Sequence, residues 1–426
     1  MAGEWTTLPL EDCMAAIIDY RGKSPEKTTF GVPLVTAKIV KGGRIEKPEE
    51  FIAEADFDDW MRRGMPKPGD IVMTTEAPLG EVAQLDGRKV ALAQRVITLR
   101  GKPDVLDNTF LKFLLQSNPV QEELRSRGTG TTVVGIRQSE LRKVSLTLPP
   151  LAEQKAIAAV LGALDDKIEL NRRMNATLEA MAQVLFQSWF VDFDPVRSKL
   201  DGRPPAALDP ATAALFPDSF QESSLGPIPR GWEVCPLSEK IQLLSGGTPK
   251  TSEPTYWDGD IPWYSVRDAP SETDVWVIHT GKHVTKLGIA NSAAQIFPEK
   301  TTIISARGTV GKLALTAVPM AMNQSCYGVR GITGYGDYFT YYSLREATAQ
   351  LQQRTHGTVF DTITTETFRT LDCIFPIPKI TEAFDKLVEP LLSQIRANLH
   401  QSRTLATLRD TLLPKLLSGE LRPMQN

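Results

Sequence analysis

The chain has 426 residues, of which 41% are hydrophobic and 23% charged, with a formal net charge of −3 and a pI near 6.0. These values are typical of a globular protein long enough for two or three domains. They argue against a free-standing, non-specific DNA binder, which would be basic. No apolar run is long enough to cross a bilayer and no signal peptide begins the chain, so we expect no membrane partner and a cytoplasmic location.

The metal-binding residue types are few and scattered. Four cysteines, Cys13, Cys235, Cys326 and Cys373, lie too far apart for a zinc knuckle or a redox motif, and a reducing compartment fits them. His279 and His283 have the spacing of a helical metal pair, but the residues between them, Gly281 and Lys282, favour a loop. We therefore predict no metal site.

Residues 1–150 predict a first α+β domain. Short β-branched and apolar runs such as DIVMT and VITL, broken by Gly and Pro, predict strands. The run FLKFLLQ at 110–116 predicts a helix near the end of this block.

Residues 151–193 predict one long helix. From 153 to 189 there is no proline and one glycine, and apolar residues recur at alternating steps of four and three. Such a repeat is the seam of a coiled coil. The predicted seam residues are Ile157, Leu161, Leu164, Ile168, Asn171, Leu178 and Leu185.

Residues 194–230 are rich in Pro, Gly, Asp and Ser, which predicts an extended linker or a loosely packed crossover. Residues 231–378 predict a second α+β domain, with strands at TTIIS and CIFPI and a helix at 338–353. Residues 379–426 predict a second long helix, which Pro390 should kink or restart. Its predicted seam residues are Phe384, Val388, Leu391, Ile395, Asn398, Leu405 and Leu412.

The second half of the chain repeats the first at an offset of 227 residues. The pairs that show this include Trp5/Trp232, Gly130/Gly357, Ile136/Ile363 and Pro149/Pro376. With small loop insertions, GDIVMTTEAPLGEVA (69–83) matches KTTIISARGTVGKLA (300–314), and Ala93-Gln94 matches Asn323-Gln324. The predicted fold class is therefore α+β, with two similar domains separated by two long antiparallel helices in a pseudo-two-fold repeat.

Each long helix is the natural partner of the other, because apolar steps match apolar steps and Asn171 matches Asn398. A polar seam residue costs stability but fixes register, which we favour here; the alternative is that these asparagines cap or kink their helices. About 40 residues span about 60 Å as a helix, enough to hold two domains a turn or more of B-DNA apart.

Several segments together resemble one known family. They are LPPLAEQKAIAAVLGALDDKIELNRRMNATLEAMAQVLFQSWFVDFDPVR (148–197), SSLGPIPRGWEVCPLSE (223–239), SGGTPKT, YWDGDIPWYSVRD, ISARGTVGKLAL, MNQSCYG, IIDYRGKSP (17–25) and LLPKLLSGELR (412–422). Their sequence and order resemble the specificity subunits of type I restriction–modification enzymes. The resemblance covers essentially the whole chain.

This resemblance implies that 1–150 and 231–378 are target-recognition domains, each reading half of a split, asymmetric site on double-stranded DNA. The conserved helices, 151–193 and 379–426, would separate these domains and dock two methyltransferase subunits. Those subunits would bind S-adenosylmethionine and methylate a flipped adenine. Restriction/translocase subunits would use ATP and Mg²⁺, so the resemblance implies no cofactor on this chain.

The motifs agree with a non-catalytic role. Asn118-Pro119 continues as Val-Gln rather than as a methylation motif, and no phosphate-binding loop of the GxxxxGK[ST] type occurs. Two alternatives remain: a scaffold whose domains bind protein, or a fused restriction–methyltransferase fragment. The missing motifs count against the second alternative.

Neither predicted DNA-reading domain is basic, because 1–150 carries equal numbers of acidic and basic side chains and 231–378 has a slight acidic excess. The partner subunits would then supply most phosphate contacts, and these domains only the base-edge readers. The loop residues that we predict as DNA-binding candidates are Arg21, Lys23, Arg62, Arg63, Arg125, Arg127, Thr129, Thr131, Arg137, Lys250, Thr251, Arg267, Arg307, Gln324, Arg354 and His356. The alternative is that most of them are solvated surface or structural ion pairs.

Overall fold

A computed structural model describes residues 5–22, 24–130, 133–206, 208–332, 334–354 and 362–423, without the side chains of 352–354. The chain divides into two compact units, Met1–Lys167 with Thr404–Asn426, and Ile168–Arg403. Each unit takes in one α+β repeat and a part of both long helices. The predicted fold class is confirmed.

The first repeat is built from eleven strands and five short helices among the described residues. The strands are β1 (Thr6–Pro9), β2 (Met14–Asp19), β3 (Val32–Val35), β4 (Val40–Lys41), β5 (Arg44–Ile45), β6 (Phe51–Ile52), β7 (Ile71–Thr74), β8 (Val82–Gln84), β9 (Ala91–Leu92), β10 (Val96–Gly101) and β11 (Ser145–Leu148). The helices are α1 (Leu10–Cys13), α2 (Phe57–Trp60), α3 (Asn108–Gln116), α4 (Asn118–Arg127) and α5 (Gln138–Leu141).

The strands of the first repeat form a central sheet of order β2-β10-β7-β8, with β3 lying between β6 and a parallel β9. The first and last strands, β1 and β11, pair antiparallel, with Thr6 opposite Leu148. The apolar runs that predicted strands are buried here, since every residue of β7 is inaccessible to solvent. Asp107 begins α3 as its N-cap, accepting from the amide of Phe110, which lies in the core.

The first long helix is α6 (Leu151–Phe190). The next elements are α7 (Asp194–Leu200), α8 (Pro210–Leu215), β12 (Phe220–Gln221) and β13 (Ile228–Pro229). The predicted extended linker is therefore wrong for much of 194–230. Val196, Phe216 and Ile228 are buried in the core of the second unit, which holds the segment against the protein.

The second repeat has its own strands and helices. The strands are β14 (Glu233–Pro236), β15 (Ile241–Ser245), β16 (Trp257–Tyr264), β17 (Trp276–Val277), β18 (Lys282–Val284), β19 (Thr302–Ser305), β20 (Leu313–Thr316), β21 (Ala321–Met322), β22 (Cys326–Gly331) and β23 (Asp372–Phe375). The helices are α9 (Lys286–Ala290), α10 (Asp337–Arg354) and α11 (Thr365–Thr370).

The sheet topology shows that the two repeats share one fold. The main sheet here has the order β15-β22-β19-β20-β17, matching β2-β10-β7-β8 with one added strand, and β16 pairs parallel with β21 as β3 does with β9. The closing pair, β14 and β23, sets Glu233 opposite Phe375, each 227 residues after its equivalent in β1 and β11. The offset read from the sequence therefore holds at the level of strand register.

The second long helix is α12 (Pro378–Leu417). It continues through Pro390 in one span, so the expectation that the helix restarts at this residue is wrong. Both Pro390 and its neighbour Glu389 are exposed, which places the proline ring on the solvent face.

The described contacts between the two long helices are antiparallel. In the second unit, Asn398 donates to Oδ1 of Asn175 at 2.9 Å, and Nδ2 of Asn171 lies 3.2 Å from Oγ of Ser402. In the first unit, Nη1 of Arg409 lies 2.7 Å from Oδ1 of Asp165.

The predicted seam residues are not equally buried. Six of them are fully buried: Ile157, Leu161, Phe384, Val388, Ile395 and Asn398, and Asn171 is buried as well. Those that are half-buried are Leu164, Ile168, Leu178, Leu185, Leu391, Leu405 and Leu412. Leu392, which the heptad pattern missed, is fully buried. A helix of 3.6 residues per turn drifts from a strict heptad, which brings this neighbour inward.

No helix in the described part of the chain has the length and apolar character to span a bilayer. The described residues also contain no group of three or more metal-ligating side chains arranged around one point. His279 lies in a loop and His283 on β18, so the helical spacing of this pair does not correspond to a helix.

Candidate nucleic-acid interface

Several loops of the first repeat meet beyond the ends of strands β7 and β10. The amide of Thr75 donates to the carbonyl of Arg95 at 2.9 Å, and the amide of Ile136 donates to the carbonyl of Thr75 at 2.9 Å. Nη1 of Arg21 adds a third link, donating to the carbonyl of Ile136 at 2.8 Å. We call the described residues of 20–25, 75–80, 93–95 and 129–137 the first loop cluster.

The second repeat fixes its loops by the same backbone bonds. The amide of Ala306 donates to the carbonyl of Ser325 at 2.8 Å, and the amide of Ile363 donates to the carbonyl of Ala306 at 2.9 Å. The hydroxyl of Thr248 donates to Oε1 of Gln324. We call the described residues of 246–251, 306–311, 323–325 and 362–364 the second loop cluster.

Glycines allow the close backbone approach in both clusters. Gly130 has a φ of +116°, and a Cβ there would lie 2.1 Å from the carbonyl oxygen of Val133. A Cβ on Gly246 would lie 2.0 Å from the carbonyl oxygen of Asn323. Any larger residue at either position would push the loops apart.

Arg21 and Arg63 hold the first loop cluster together. The guanidinium of Arg21 pairs with Asp19 through Nε at 2.8 Å and Nη2 at 2.7 Å. Nη1 of Arg63 donates to the carbonyls of Asp19 and Arg21 at 3.0 and 2.6 Å. Both side chains therefore already have partners, as the structural alternative expected, and they fix the loop that they were predicted to read from.

The loop that carries Arg62 and Arg63 is anchored by Tyr20. Its hydroxyl donates to the carbonyls of Met61, at 3.0 Å, and Gly64, and its ring stacks on Trp60 at 5.7 Å. Burial raises the pKa of Tyr20 to about 12, so the phenol remains neutral. The Nε of Arg62 donates to its own helix at the carbonyl of Asp59, leaving an exposed cation beside the cluster.

The other first-repeat candidates lie at one edge of the same cluster. Arg125 and Arg137 are exposed, with no recorded ion pair in the described part of the chain, whereas Arg127 pairs with Glu123 at 3.0 Å. Thr129 is exposed and its backbone pairs with Gly135. Lys23 and Thr131 lie outside the described residues.

In the second repeat the structure brings together three of the candidates most closely. Gln324 and Arg307 belong to loops joined by the bond between Ala306 and Ser325, and Lys250 follows Thr248 by two residues. All three are exposed, as are Thr251 and Arg267. Arg267 follows Ser265, whose amide and hydroxyl are capped by Asp268 at 2.8 Å. The side chain of Arg354 and the whole of His356 lie outside the described residues.

The electrostatics of the first cluster match its neutral overall charge. A cleft of about 350 Å³ beside it is lined by residues that include Ser24, Lys27, Lys38, Gln94 and Arg95. The three cations have carboxylate partners: Lys27 with Glu50 at 3.0 Å, Lys38 with Glu49 at 3.1 Å, and Arg95 with Glu76 at 2.8 Å. Strong phosphate attraction is therefore not expected from this surface alone.

Sequence reasoning missed three polar residues of this cluster, namely Glu76, Gln94 and Arg95. The internal repeat held the signal for one of them, because Gln94 is the equivalent of Gln324, which was predicted. The match of 69–83 with 300–314 likewise carried the loop of Glu76. Nothing in the local sequence showed that Glu76 and Arg95 would meet.

Comparison with known proteins adds the remaining evidence. The family model of the type I restriction modification DNA specificity domain matches residues 64–180 and 229–404. The chain is 29% identical over 355 residues to the HindI specificity subunit of Haemophilus influenzae, covering 73% of this chain and 77% of that protein. It is 28% identical over 398 residues to the MjaIX specificity subunit of Methanocaldococcus jannaschii, covering 92% and 87%.

A solved structure supports the fold. The type I restriction–modification S subunit from M. genitalium superposes with a TM-score of 0.57 at 18% identity, covering 99% of this chain and 97% of that one.

Proposed function

Because the chain belongs to the type I restriction–modification DNA specificity family, we propose that it is the subunit that selects the DNA sequence on which such a complex acts. The family model matches both repeats and much of both long helices, so the premise applies to the whole architecture rather than to one domain. The recognition surfaces are the two loop clusters.

We further propose that the recognised site is bipartite and asymmetric. The observation that carries this is the repetition of one loop framework: the bonds Thr75–Arg95 and Ile136–Thr75 recur as Ala306–Ser325 and Ile363–Ala306. Equivalent frameworks present different side chains, such as Arg95 and Ser325. Two readers of one fold but different chemistry suit two half-sites of different sequence.

The chain is proposed to be non-catalytic and to act through partners. Two methyltransferase subunits that bind S-adenosylmethionine would dock on the long helices, and restriction/translocase subunits would supply ATP- and Mg²⁺-dependent cleavage. The nearly balanced charge of both repeats supports this division, because a reader without a basic surface needs other subunits to neutralise phosphates.

Methylation mapping tests the proposal. The chain is co-expressed with its methyltransferase partner in cells that lack adenine methylation, and methyladenine is located by single-molecule sequencing. We expect one new motif made of two specified half-sites around an unspecified spacer. The absence of any such motif, with both proteins present and folded, would overturn the proposal.

A further inference from the structure

In the first loop cluster, Glu76 and Arg95 form an ion pair with a particular geometry. Nε of Arg95 lies 2.8 Å from Oε1 of Glu76, and the two side chains are 53% and 42% exposed. No other side-chain contact of Arg95 is recorded among the described residues. The two terminal nitrogens of the guanidinium, Nη1 and Nη2, therefore remain available.

This orientation matches a known mode of base recognition. A guanidinium presents its two terminal N–H groups as a fork, which fits the O6 and N7 acceptors of guanine in the major groove. Because Glu76 binds the Nε edge, it fixes the plane of the guanidinium without covering the fork.

The backbone beneath this pair is rigid. The carbonyl of Arg95 accepts from Thr75, and Glu76 directly follows Thr75, so both residues stand on one hydrogen-bonded contact between loops. Glu76 also bridges to Gly135, and a Cβ on that glycine would lie 3.1 Å from Cβ of Glu76. An exposed ion pair adds about 0–1 kcal/mol to folding, so the pair is not needed to hold the loops.

The second loop cluster has different chemistry at the same two positions. Arg307, which is exposed, follows Ala306 as Glu76 follows Thr75, and Ser325 takes the place of Arg95. No ion pair of Arg307 is recorded in the described part of the chain. The acid–arginine pair of one repeat is thus an arginine–serine combination in the other.

We propose that Arg95 reads a guanine in the first half-site, that Glu76 is its positioning residue, and that Arg307 acts at the corresponding place in the second half-site. The inference rests on the proposed function and deepens it, since it assigns a specificity-determining position to each repeat.

The test is methylation mapping of Arg95→Ala, Glu76→Gln and Arg307→Ala in the complex with its methyltransferase partner. For Arg95→Ala we expect preference for guanine at one position of one half-site to fall about 10- to 100-fold, the loss of one bidentate contact. Glu76→Gln should weaken preference at the same position by less. Arg307→Ala should change only the other half-site.

Arg88→Ala is the matched control. Nε of Arg88 lies 2.8 Å from Oδ2 of Asp86, the same contact as in the Arg95 pair, but on the loop at the opposite end of β8. This variant should leave the motif unchanged.

The outcomes separate the two proposals. If the wild-type chain directs no bipartite methylation, the proposed function fails. If the wild type gives a motif that Arg95→Ala leaves unaltered, this inference is overturned and the function stands. Should Arg95→Ala abolish methylation, Arg95→Lys decides: a reduced guanine preference at one position supports the inference, and an unchanged one contradicts it.

Discussion

The side-chain amide of Asn398 donates to Oδ1 of Asn175 at 2.9 Å inside the antiparallel pair formed by α6 and α12. Both residues are buried, at 4% and 1% exposure. The repeat-related pair, Asn171 and Ser402, lies beside it at 3.2 Å. A polar layer of this kind costs desolvation but is satisfied only in one helix register, which is the role predicted for Asn171 and Asn398.

Substitution of Asn398 by alanine tests the polar layer. It leaves the buried amide oxygen of Asn175 without this donor, so we expect the free energy of unfolding to fall by about 1–3 kcal/mol. Chemical denaturation measures the loss. The exposed Ser393→Ala on the same helix is the control and should change stability little. Equal stability of Asn398→Ala and wild type would contradict a structural role for the layer.

The charged trio Lys112, Asp165 and Arg409 gives a second prediction. Asp165 accepts from Lys112 and, at 2.7 Å, from Arg409, and all three side chains are largely shielded from solvent. Asp165→Ala leaves two cations facing each other, and we expect a destabilisation of about 2–4 kcal/mol. The exposed pairs of Glu169 with Arg172 and Arg173 are the control, since Glu169→Ala should cost about 0–1 kcal/mol.

Combining Asp165→Ala with Arg409→Met would sharpen that test. Removal of one uncompensated cation should restore part of the lost stability, because the cost arises from unpaired charge rather than from lost packing. Additive losses in the double variant would show that the trio stabilises the unit by packing alone.

Asp385 predicts a pH dependence. Its carboxylate accepts from the amides of Phe339 at 2.8 Å and Tyr338 at 3.2 Å, at the start of α10. Burial raises the pKa of Asp385 from 3.8 to about 7 in spite of these bonds. The folded state therefore holds a proton that the unfolded chain releases, and this group's contribution to stability falls as pH rises from about 4 to about 7.

The comparison of wild type with Asp385→Asn isolates this effect from other carboxylates. The difference in unfolding free energy between the two proteins should move in favour of the variant as pH rises, with a slope of at most about 1.4 kcal/mol per pH unit. Denaturation at pH 5 and pH 8 measures it. A difference that does not vary with pH would show that Asp385 titrates in its ordinary range.

Leu391 and Leu392 test where the face of α12 lies. Leu392 is fully buried and its carbonyl accepts from Nε1 of Trp276 at 2.8 Å, whereas Leu391 is half-buried. We expect Leu392→Ala to cost about 2–5 kcal/mol and Leu391→Ala clearly less. The reverse order, measured by denaturation, would favour the strict heptad that predicted Leu391.

These residues also show what the sequence could and could not predict. The duplicated architecture was predictable, because side chains such as Ile136 and Ile363 hold the same backbone position in both repeats. Leu392 was missed because a heptad pattern ignores the slow rotation of a straight helix. The packing of 194–230 was missed because a Pro- and Gly-rich composition does not show that Phe216 and Val196 find a core.

The candidate site was predictable only in outline. Repeat matching located the loops, and Gln94 could have been added from Gln324 by the same match. The ion pair of Glu76 with Arg95 joins loops that are 19 residues apart, so its geometry depends on tertiary structure. Arg21 was predicted as a reader because a loop arginine has the right chemistry, yet Asp19 and the carbonyl of Ile136 already engage it.

Replacement of residues 1–150 by the corresponding domain of another family member tests the central claim most directly. The chimera and the wild-type chain are each co-expressed with the same methyltransferase, and their methyladenine motifs are mapped by single-molecule sequencing. We predict that one half-site changes to that of the donor and the other is retained, because each repeat carries its own loop cluster. A change in both half-sites, or in neither, would contradict the account.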